Sequence, residues 1–428
     1  MTARDAALRS LLRGGDSTGD LDAELKVAKL APRDAAFATE LAYGTLKMQR
    51  ALAWSVQTAL RRPLESLDPP LRWVLLLGAY QLLYLDRVPA HGAVDESVKL
   101  ARSHGHAGTA GLANAALRKI AIERLKPPRP SADDPASALG IYASLPDWIA
   151  AHFIARFGFD DALRAAEGLN GAPRRAVRMS AGQSPPPGAK PGQYGVPETA
   201  IVDSLTDAAR AYTVQSEESQ LAVHLLDPQP GETILDICAG RGVKTGMING
   251  RLGGRGRVVS VDDDDSKLAV LRRDGARQSS NTVVRADART ALPDSVPDGA
   301  DRALVDAPCS GLGVLGRRAD ARWRKRPDDP ARFSPVQRAI LASTAAKVKP
   351  GGTLVYATCS THEKEDEETV DAFLVSNREW QAVPITLARE SPEGTGSEIR
   401  MRGPYLQIVP GIDGADGFFY ARLERRPA

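Results

Sequence analysis

Cysteine is scarce: three occur in 428 residues, at Cys238, Cys309 and Cys359, without paired spacing. That argues against a disulfide framework and fits a reducing cytoplasm. No Cys/His set has zinc spacing, so no metal is expected. Long apolar runs are missing as well. The most apolar stretch, Leu71 to Leu85, is too short for a membrane span and is interrupted by Arg72 and Gln81. The N-terminus has mixed charge and no signal-peptide core, so the expectation is a soluble, cytoplasmic protein without a membrane partner. A large charge surplus is also absent, and a net +3 does not by itself argue for nucleic acid. No internal repeat is found. What remains is an ordinary globular balance, 43% hydrophobic and 25% charged, over a length that suits two or three domains.

Up to about Leu125, Ala- and Leu-rich segments recur at helical spacing, broken at Gly14-Gly15, Arg62-Pro63, Asp68-Pro69-Pro70 and Pro89. This predicts an all-helical domain over 1–125 whose central helix is the Leu71 to Leu85 run. It carries 17 Lys and Arg against 13 Asp and Glu, slightly more than the whole chain's surplus, which suits either a solvated helical surface or an RNA-binding module. A Pro-rich linker over 126–139 excludes regular helix. Residues 140–215 read as a small α+β subdomain, with helices over Pro146 to Phe157 and Asp160 to Leu169, and a strand at Arg174 to Met179. From 216 to 428, apolar strand runs alternate with helical ones, the pattern of a doubly wound α/β sheet. The strands expected are Thr233 to Ile237, Arg257 to Val261, Thr282 to Ala286, Arg302 to Asp306 and Thr353 to Thr358, with a closing pair near Leu406 to Val409 and Gly417 to Leu423.

Four of these strands present a polar element at one edge, the edge where open α/β sheets bind ligands. The first leads into Cys238-Ala239-Gly240-Arg241-Gly242-Val243-Lys244, a glycine-containing turn before a helix, suited to close approach by an anionic or polar ligand. It is neither a dinucleotide fingerprint nor a P-loop. The second strand ends at Asp262, placed to accept bonds from ribose hydroxyls. The third is followed by Asp287, suited to an adenine amino edge, and the fourth ends at Asp306. Together they point to an adenosyl pocket, with Asp263, Asp264 and Asp265 read as solvated or capping residues. Two of the three cysteines, Cys309 in Asp306-Ala-Pro-Cys-Ser-Gly311 and Cys359 in Thr358-Cys-Ser360, fall at neighbouring strand ends. One cysteine is usually a small buried hydrophobe; two at one edge suggest sulfur chemistry.

These motifs resemble those of the RsmB/Sun/Fmu family of bacterial 16S rRNA cytosine-C5 methyltransferases, over nearly the whole length. Lys349-Pro-Gly-Gly352 precedes the second cysteine motif, the acidic run Glu365 to Glu368 follows it, and Gly414 to Phe419 looks like the family's closing strand. Ala36-Phe37 with Leu41 to Leu46, Leu76 to His91 and Gly111 to Arg118 resemble a NusB-like helical domain. The resemblance implies a Rossmann-like class I methyltransferase domain behind a NusB-like RNA-binding domain, with S-adenosylmethionine as cofactor. The cofactor turn departs from the family's Cys-Ala-Ala-Pro-Gly-Gly-Lys, because Gly240, Arg241 and Val243 replace Ala, Pro and the second Gly. Positive φ is unfavourable at Val243, so a reshaped turn is expected. Val177-Arg-Met-Ser180 departs from an Arg-x-Asn strand.

A thiolate that adds to C6 of cytosine makes C5 nucleophilic, and loss of the C5 proton then expels the sulfur. Chemistry alone does not choose between the two thiols. The resemblance assigns addition to Cys359 and product release to Cys309, with Asp306 on the N3 and amino edge of the base. Lys244 is expected to orient Asp306 or to lower the Cys359 pKa; Cys238 is expected to pack or shape the backbone of the cofactor turn. RNA contacts are expected from Arg317, Arg318, Arg322, Arg324, Lys325 and Arg326 on phosphates, with Trp323 as a stacking plane, and from Arg174, Arg175 and Arg178. The partner is then 16S ribosomal RNA, free or in a partial small subunit, bound by a monomer. Transfer RNA is the alternative substrate, against which the NusB-like domain argues. A non-catalytic assembly factor is the rival class, motivated by Arg241 and Val243 and opposed by the retained cysteines and aspartates.

Overall fold

Ala and Leu at helical spacing fold the front of the chain into a bundle in the computed structural model. The model describes residues 1–13, 23–24, 26–172, 174–204, 211–275, 281–317, 320–387, 400–414 and 416–428, with backbone alone at 274, 275 and 400. Helices run over Ala3–Leu12, Pro32–Lys47, Gln49–Ala59, Pro69–Tyr84, Ala90–Ser103 and Ala107–Glu123. The expected central helix is Pro69–Tyr84. Its two prolines occupy the first turn, where no intrahelical N–H is needed, and Leu71 and Val74 through Leu83 are buried. Gln81 is tolerated there because its amide is satisfied, accepting from Arg4 Nε at 2.7 Å and donating to the Leu77 carbonyl at 3.0 Å.

Three more helices, Ala136–Tyr142, Asp147–Phe157 and Phe159–Asn170, belong to the same compact unit, which comprises Met1–Asn170 and Arg317–Lys325. Among the described residues the span expected as one subdomain, 140–215, is divided between the two units at Asn170 and Gly171, and helix begins inside the expected 126–139 linker, at Ala136. Arg50 shows why. Its main-chain N–H donates to Ser144 Oγ at 3.1 Å, and its guanidinium donates to the Leu145 carbonyl and to Asp147 Oδ1, both at 2.6 Å. The amphipathic helices that follow the prolines thus complete the bundle, and the strands after them go elsewhere.

The second unit comprises Gly171–Gly316 and Arg326–Ala428. It opens with a small antiparallel sheet, β1 (Arg175–Arg178), β2 (Lys190–Pro191), β3 (Thr199–Val202) and β4 (Thr213–Val214), in the order β2-β3-β1-β4. The large sheet contains β5 (Thr233–Ile237), β6 (Arg257–Asp262), β7 (Asn281–Arg285), β8 (Ala300–Asp306), β9 (Val348–Thr358), β10 (Trp380–Val383), β11 (Arg400–Arg402), β12 (Tyr405–Ile408) and β13 (Phe418–Arg425). Its order is β11-β12-β13-β9-β8-β5-β6-β7, with β10 paired to β13. Strands β5 to β9 are mutually parallel, so their carboxyl ends share one edge, and β13 closes the sheet antiparallel to β9. Successive strands lie to either side of β5, which makes its carboxyl end a topological switch point. Both faces are covered: Val259, Val305 and Tyr356 enter one apolar core and Ile234, Val258 and Val355 the other. Among the described residues no helix is long and apolar enough to cross a membrane.

Candidate active site

At the switch point the chain turns sharply after Ile237. Positive φ falls on Cys238 (62°), Gly240 (58°) and Gly242 (82°), and Val243 opens the helix Val243–Leu252. Val243 therefore does not reshape the turn, because the left-handed residues precede it. Gly242 is favoured by its angle, and a Cβ there would lie 2.1 Å from Leu271 Cδ1, so the leucine side chain would have to turn away. Asp262, at the end of β6, accepts the Gly240 N–H at 2.9 Å and the Asp264 N–H at 3.0 Å, with Lys267 Nζ 3.6 Å away. Asp264 caps the next helix through Ser266 and Lys267, as expected of the acidic run.

A cavity of about 250 Å³ opens beside this turn, walled by Val261, Ala286, Phe333, Val336 and Ile340 and edged by Cys238, Asp262, Asp263, Asp287 and Pro308. An apolar slot with a carboxylate at one end has the polarity of an adenosyl group, a flat apolar base joined to a ribose with hydroxyls. Asp287 borders the same space, but Arg289 holds it, through its N–H at 2.9 Å and its guanidinium at 2.8 and 2.7 Å, and this draws the Asp287 pKa below its usual range. Ala239 and Arg241 shape the turn through the main chain: Ala239 N–H donates to the Val261 carbonyl and its own carbonyl accepts from Gly242, while Arg241 is exposed. Burial pushes the Cys238 thiol far up, which suits a packing role.

The ends of β8 and β9 lie side by side, with Asp306 opposite Ala357, and bring the two thiols to 3.2 Å between sulfurs. Both cysteines are part-exposed. Lys244, on the first turn of its helix, donates to Asp306 Oδ2 at 2.6 Å. Its side chain is only 12% exposed. Burial opposes its charge, but Asp306, Asp236 and Cys359 outweigh that and raise its pKa, so the ammonium persists beside the thiols. Cys309 is pushed well above the ordinary thiol value by its hydrogen bond to Cys359, by burial and by the charges of Cys359 and Glu365.

Glu365 and Gln337 were not singled out in the sequence. Glu365 is buried among Ser310, Ser360 and Gln337, and Gln337 also donates to the Pro308 carbonyl at 2.9 Å. The acidic run was visible, but nothing in it distinguishes the buried member from its solvated neighbours.

The expected RNA contacts divide. Arg322 is fully buried inside the helical unit, donating to Asn170 Oδ1 at 2.9 Å and to the carbonyls of Ser144, Lys47 and Ala143 at 3.1, 3.4 and 3.5 Å. These acceptors lie at the carboxyl ends of three helices, where unpaired carbonyls and the helix dipoles favour a cation. Burial lowers its pKa to about 9. Trp323 is half-buried, packs on the bundle core and donates Nε1–H to the Leu46 carbonyl at 2.8 Å. Arg178 is likewise consumed, donating to Gln215 Oε1 at 2.5 Å and to the Val243 carbonyl at 2.6 Å, and burial lowers its pKa to about 10. Arg174 lies 3.7 Å from Glu217 and Arg175 donates to the Asp203 carbonyl, while both stay exposed. Arg317, Arg324 and Arg326 are exposed and Lys325 half-buried, with Arg324 paired to Asp320. Arg318 lies outside the described residues.

Residues 223–424 match the family model described as 16S rRNA methyltransferase RsmB/F, and residues 1–122 match the NusB family. The ribosomal RNA small subunit methyltransferase B of Thermus thermophilus is 33% identical, over 98% of this chain and 96% of its own. The chain belongs to the RsmB/F methyltransferase family. The ribosomal RNA small subunit methyltransferase B of Vibrio cholerae is 31% identical, over 100% of this chain and 98% of its own. The crystal structure of PH0851 shares the fold with a TM-score of 0.74 at 23% identity, covering 99% of this chain and 98% of that one. That of NSun6 from Pyrococcus horikoshii with SFG has a TM-score of 0.53 at 18% identity, covering 66% and 99%. As an RsmB/F methyltransferase the chain takes S-adenosylmethionine as its cofactor, and the helical unit carries its NusB-like domain.

Proposed function

We propose that this enzyme methylates C5 of a cytosine in 16S ribosomal RNA through a covalent bond between Cys359 and C6 of the base. The observation that carries the reading is the pair of thiols 3.2 Å apart beside the Lys244–Asp306 pair, at the edge where the cofactor cavity opens. Asp262 and the Gly240–Gly242 turn would hold S-adenosylmethionine, which when bound supplies a methyl group on a positively charged sulfur. Cytosine C5 is a poor nucleophile, so the protein must raise its electron density. The Cys359 thiolate forms a bond to C6, and the π pair of C5=C6 moves to C5, which can then accept a methyl group. Loss of the C5 proton to solvent water returns a pair to C5=C6 and breaks the C6–S bond, which restores the thiolate. Lys244 favours the thiolate form of Cys359, and Asp306 takes the amino edge of the base. Cys309, kept as a thiol, assists release.

The test is methyl transfer to a 16S transcript, free and in a partial subunit, by two variants. Cys359→Ala should lose at least about a thousandfold in rate, roughly 4 kcal/mol of barrier, and still bind S-adenosylmethionine in a calorimeter. Cys309→Ala should accumulate a protein–RNA adduct that survives a denaturing gel. Full turnover by Cys359→Ala would hand the nucleophile's role to Cys309, and bisulfite sequencing of the product would reveal any site other than C5.

A further inference from the structure

The acidic run after Cys359 takes no part in the chemistry above, yet Glu365 stands between the two thiol loops with no exposed surface. Its Oε1 accepts the Ser310 N–H at 2.7 Å and the Gln337 Nε2–H at 3.2 Å. Its Oε2 accepts the Ser360 hydroxyl at 2.6 Å and also the Ser310 hydroxyl. Ser310 follows Cys309 and Ser360 follows Cys359. One carboxylate thus gathers the residue next to each sulfur. Its own main chain is fixed in turn, since the Glu365 N–H donates to the His362 carbonyl at 2.9 Å and the Tyr356 hydroxyl donates to the Glu365 carbonyl at 2.6 Å. Four donors converge on two oxygens, and an ionised carboxylate accepts all four as charge-assisted bonds.

We propose that Glu365 is a positioning residue for the reaction: its carboxylate fixes both cysteine loops at once and keeps the two sulfurs in register through addition and release. The proposal rests on the Cys359 adduct reading. A second consequence follows from charge. Cys309 faces Cys359, the Glu365 carboxylate and the Tyr356 hydroxyl, and the carboxylate disfavours a second anion there. Cys359 faces Cys309 and the Lys244 ammonium, which favours an anion. The two thiols, neighbours in space, therefore differ in the charge beside them, a carboxylate for Cys309 and an ammonium for Cys359.

Glu365→Gln removes the charge with little change of shape and Glu365→Asp keeps the charge on a shorter arm. In Glu365→Gln, kcat for methyl transfer should fall by about a hundredfold, the scale set by small misplacements of reacting groups. KM for S-adenosylmethionine should stay within about threefold of wild type on the same scale of argument. Alkylation of Cys309 by iodoacetamide, followed by peptide mass spectrometry across pH, should begin at lower pH than in wild type, and Glu365→Asp should restore the wild-type profile. Wild-type kcat with an unmoved Cys309 profile would overturn the proposal, and so would parallel losses of folding and cofactor affinity without a shift in that profile. Failure of Cys309→Ala to trap RNA would instead sink the adduct reading, whatever Glu365 does.

Discussion

The active edge of the large sheet has two halves built on different plans. Along β5, β6 and β7, carboxylates are held by groups of the turns at the same edge: Asp262 by the N–H of Gly240 in the turn after β5 and by that of Asp264 in its own, and Asp287 by Arg289. They border a cavity. Along β8 and β9, polar groups are held by side chains from distant segments: Lys244 reaches Asp306, and Glu365 collects Ser310, Gln337 and Ser360. The first plan leaves lone pairs and volume for a ligand to use. The second leaves little to reorganise when charge moves, which is how a site stabilises a transition state rather than a bound molecule. Damage to the first half should therefore appear in cofactor KM, and damage to the second in kcat.

Lys244→Ala is the strongest way to break that contrast. It removes the 2.6 Å partner of Asp306 and a cation that favours the Cys359 thiolate. Without that cation Asp306 loses its fixed position and the thiolate is less favoured, so kcat should drop by about a hundredfold, the scale set by misplaced reacting groups. Calorimetric affinity for S-adenosylmethionine should hold. A collapse of affinity with kcat intact would move Lys244 to the cofactor half. Asp262→Ala sharpens the contrast from the other side: losing hydrogen bonds to a charged group, about 1.5–3 kcal/mol, should raise cofactor KM by about ten- to a hundredfold and leave saturated turnover nearly unchanged. Asp287→Asn should do less, because Arg289 already occupies that carboxylate.

The strand ends were legible because a run such as Ala303-Leu304-Val305 holds nothing polar until its edge, and the residue after the run, Asp306, then stands at the rim. The same logic found Asp262, Asp306 and both thiols. It failed where partners come from far away. Glu365 resembles Glu367 and Glu368 in sequence, and only the meeting of residues 310, 337 and 360 buries it. Arg322 and Arg324 belong to one basic run, yet one caps three helix ends inside the bundle and the other stays at the surface. Helices 147–157 and 159–170 were assigned to their neighbours in sequence, whereas burial of Ile149, Phe153 and Leu163 ties them to the bundle's unit. Periodicity tells which face is apolar; it does not tell which core receives it.

Asp236 lies at the seam between the two halves and gives the smallest effect. It is fully buried on β5; its Oδ2 accepts the Thr245 hydroxyl at 2.5 Å, and its Oδ1 has no partner among the described residues. Burial, opposed by Thr245 and Lys244 and reinforced by Asp306 and Asp262, pushes its pKa up to about 7. A carboxyl raised in the folded state keeps a proton that the unfolded chain has released, so its contribution is fully present below the ordinary Asp value of about 3.9. That contribution declines as pH rises, by up to about 1.4 kcal/mol per unit, and is gone above the folded value. Asn carries no such proton. Asp236→Asn should therefore flatten the decline of urea stability between pH 5 and 7 and leave the variant the more stable protein at pH 8. Equal slopes would mean that Asp236 is ionised throughout; Lys244 would then be shared between two carboxylates, and the kcat of wild type would lose its dependence on the single pair at Asp306.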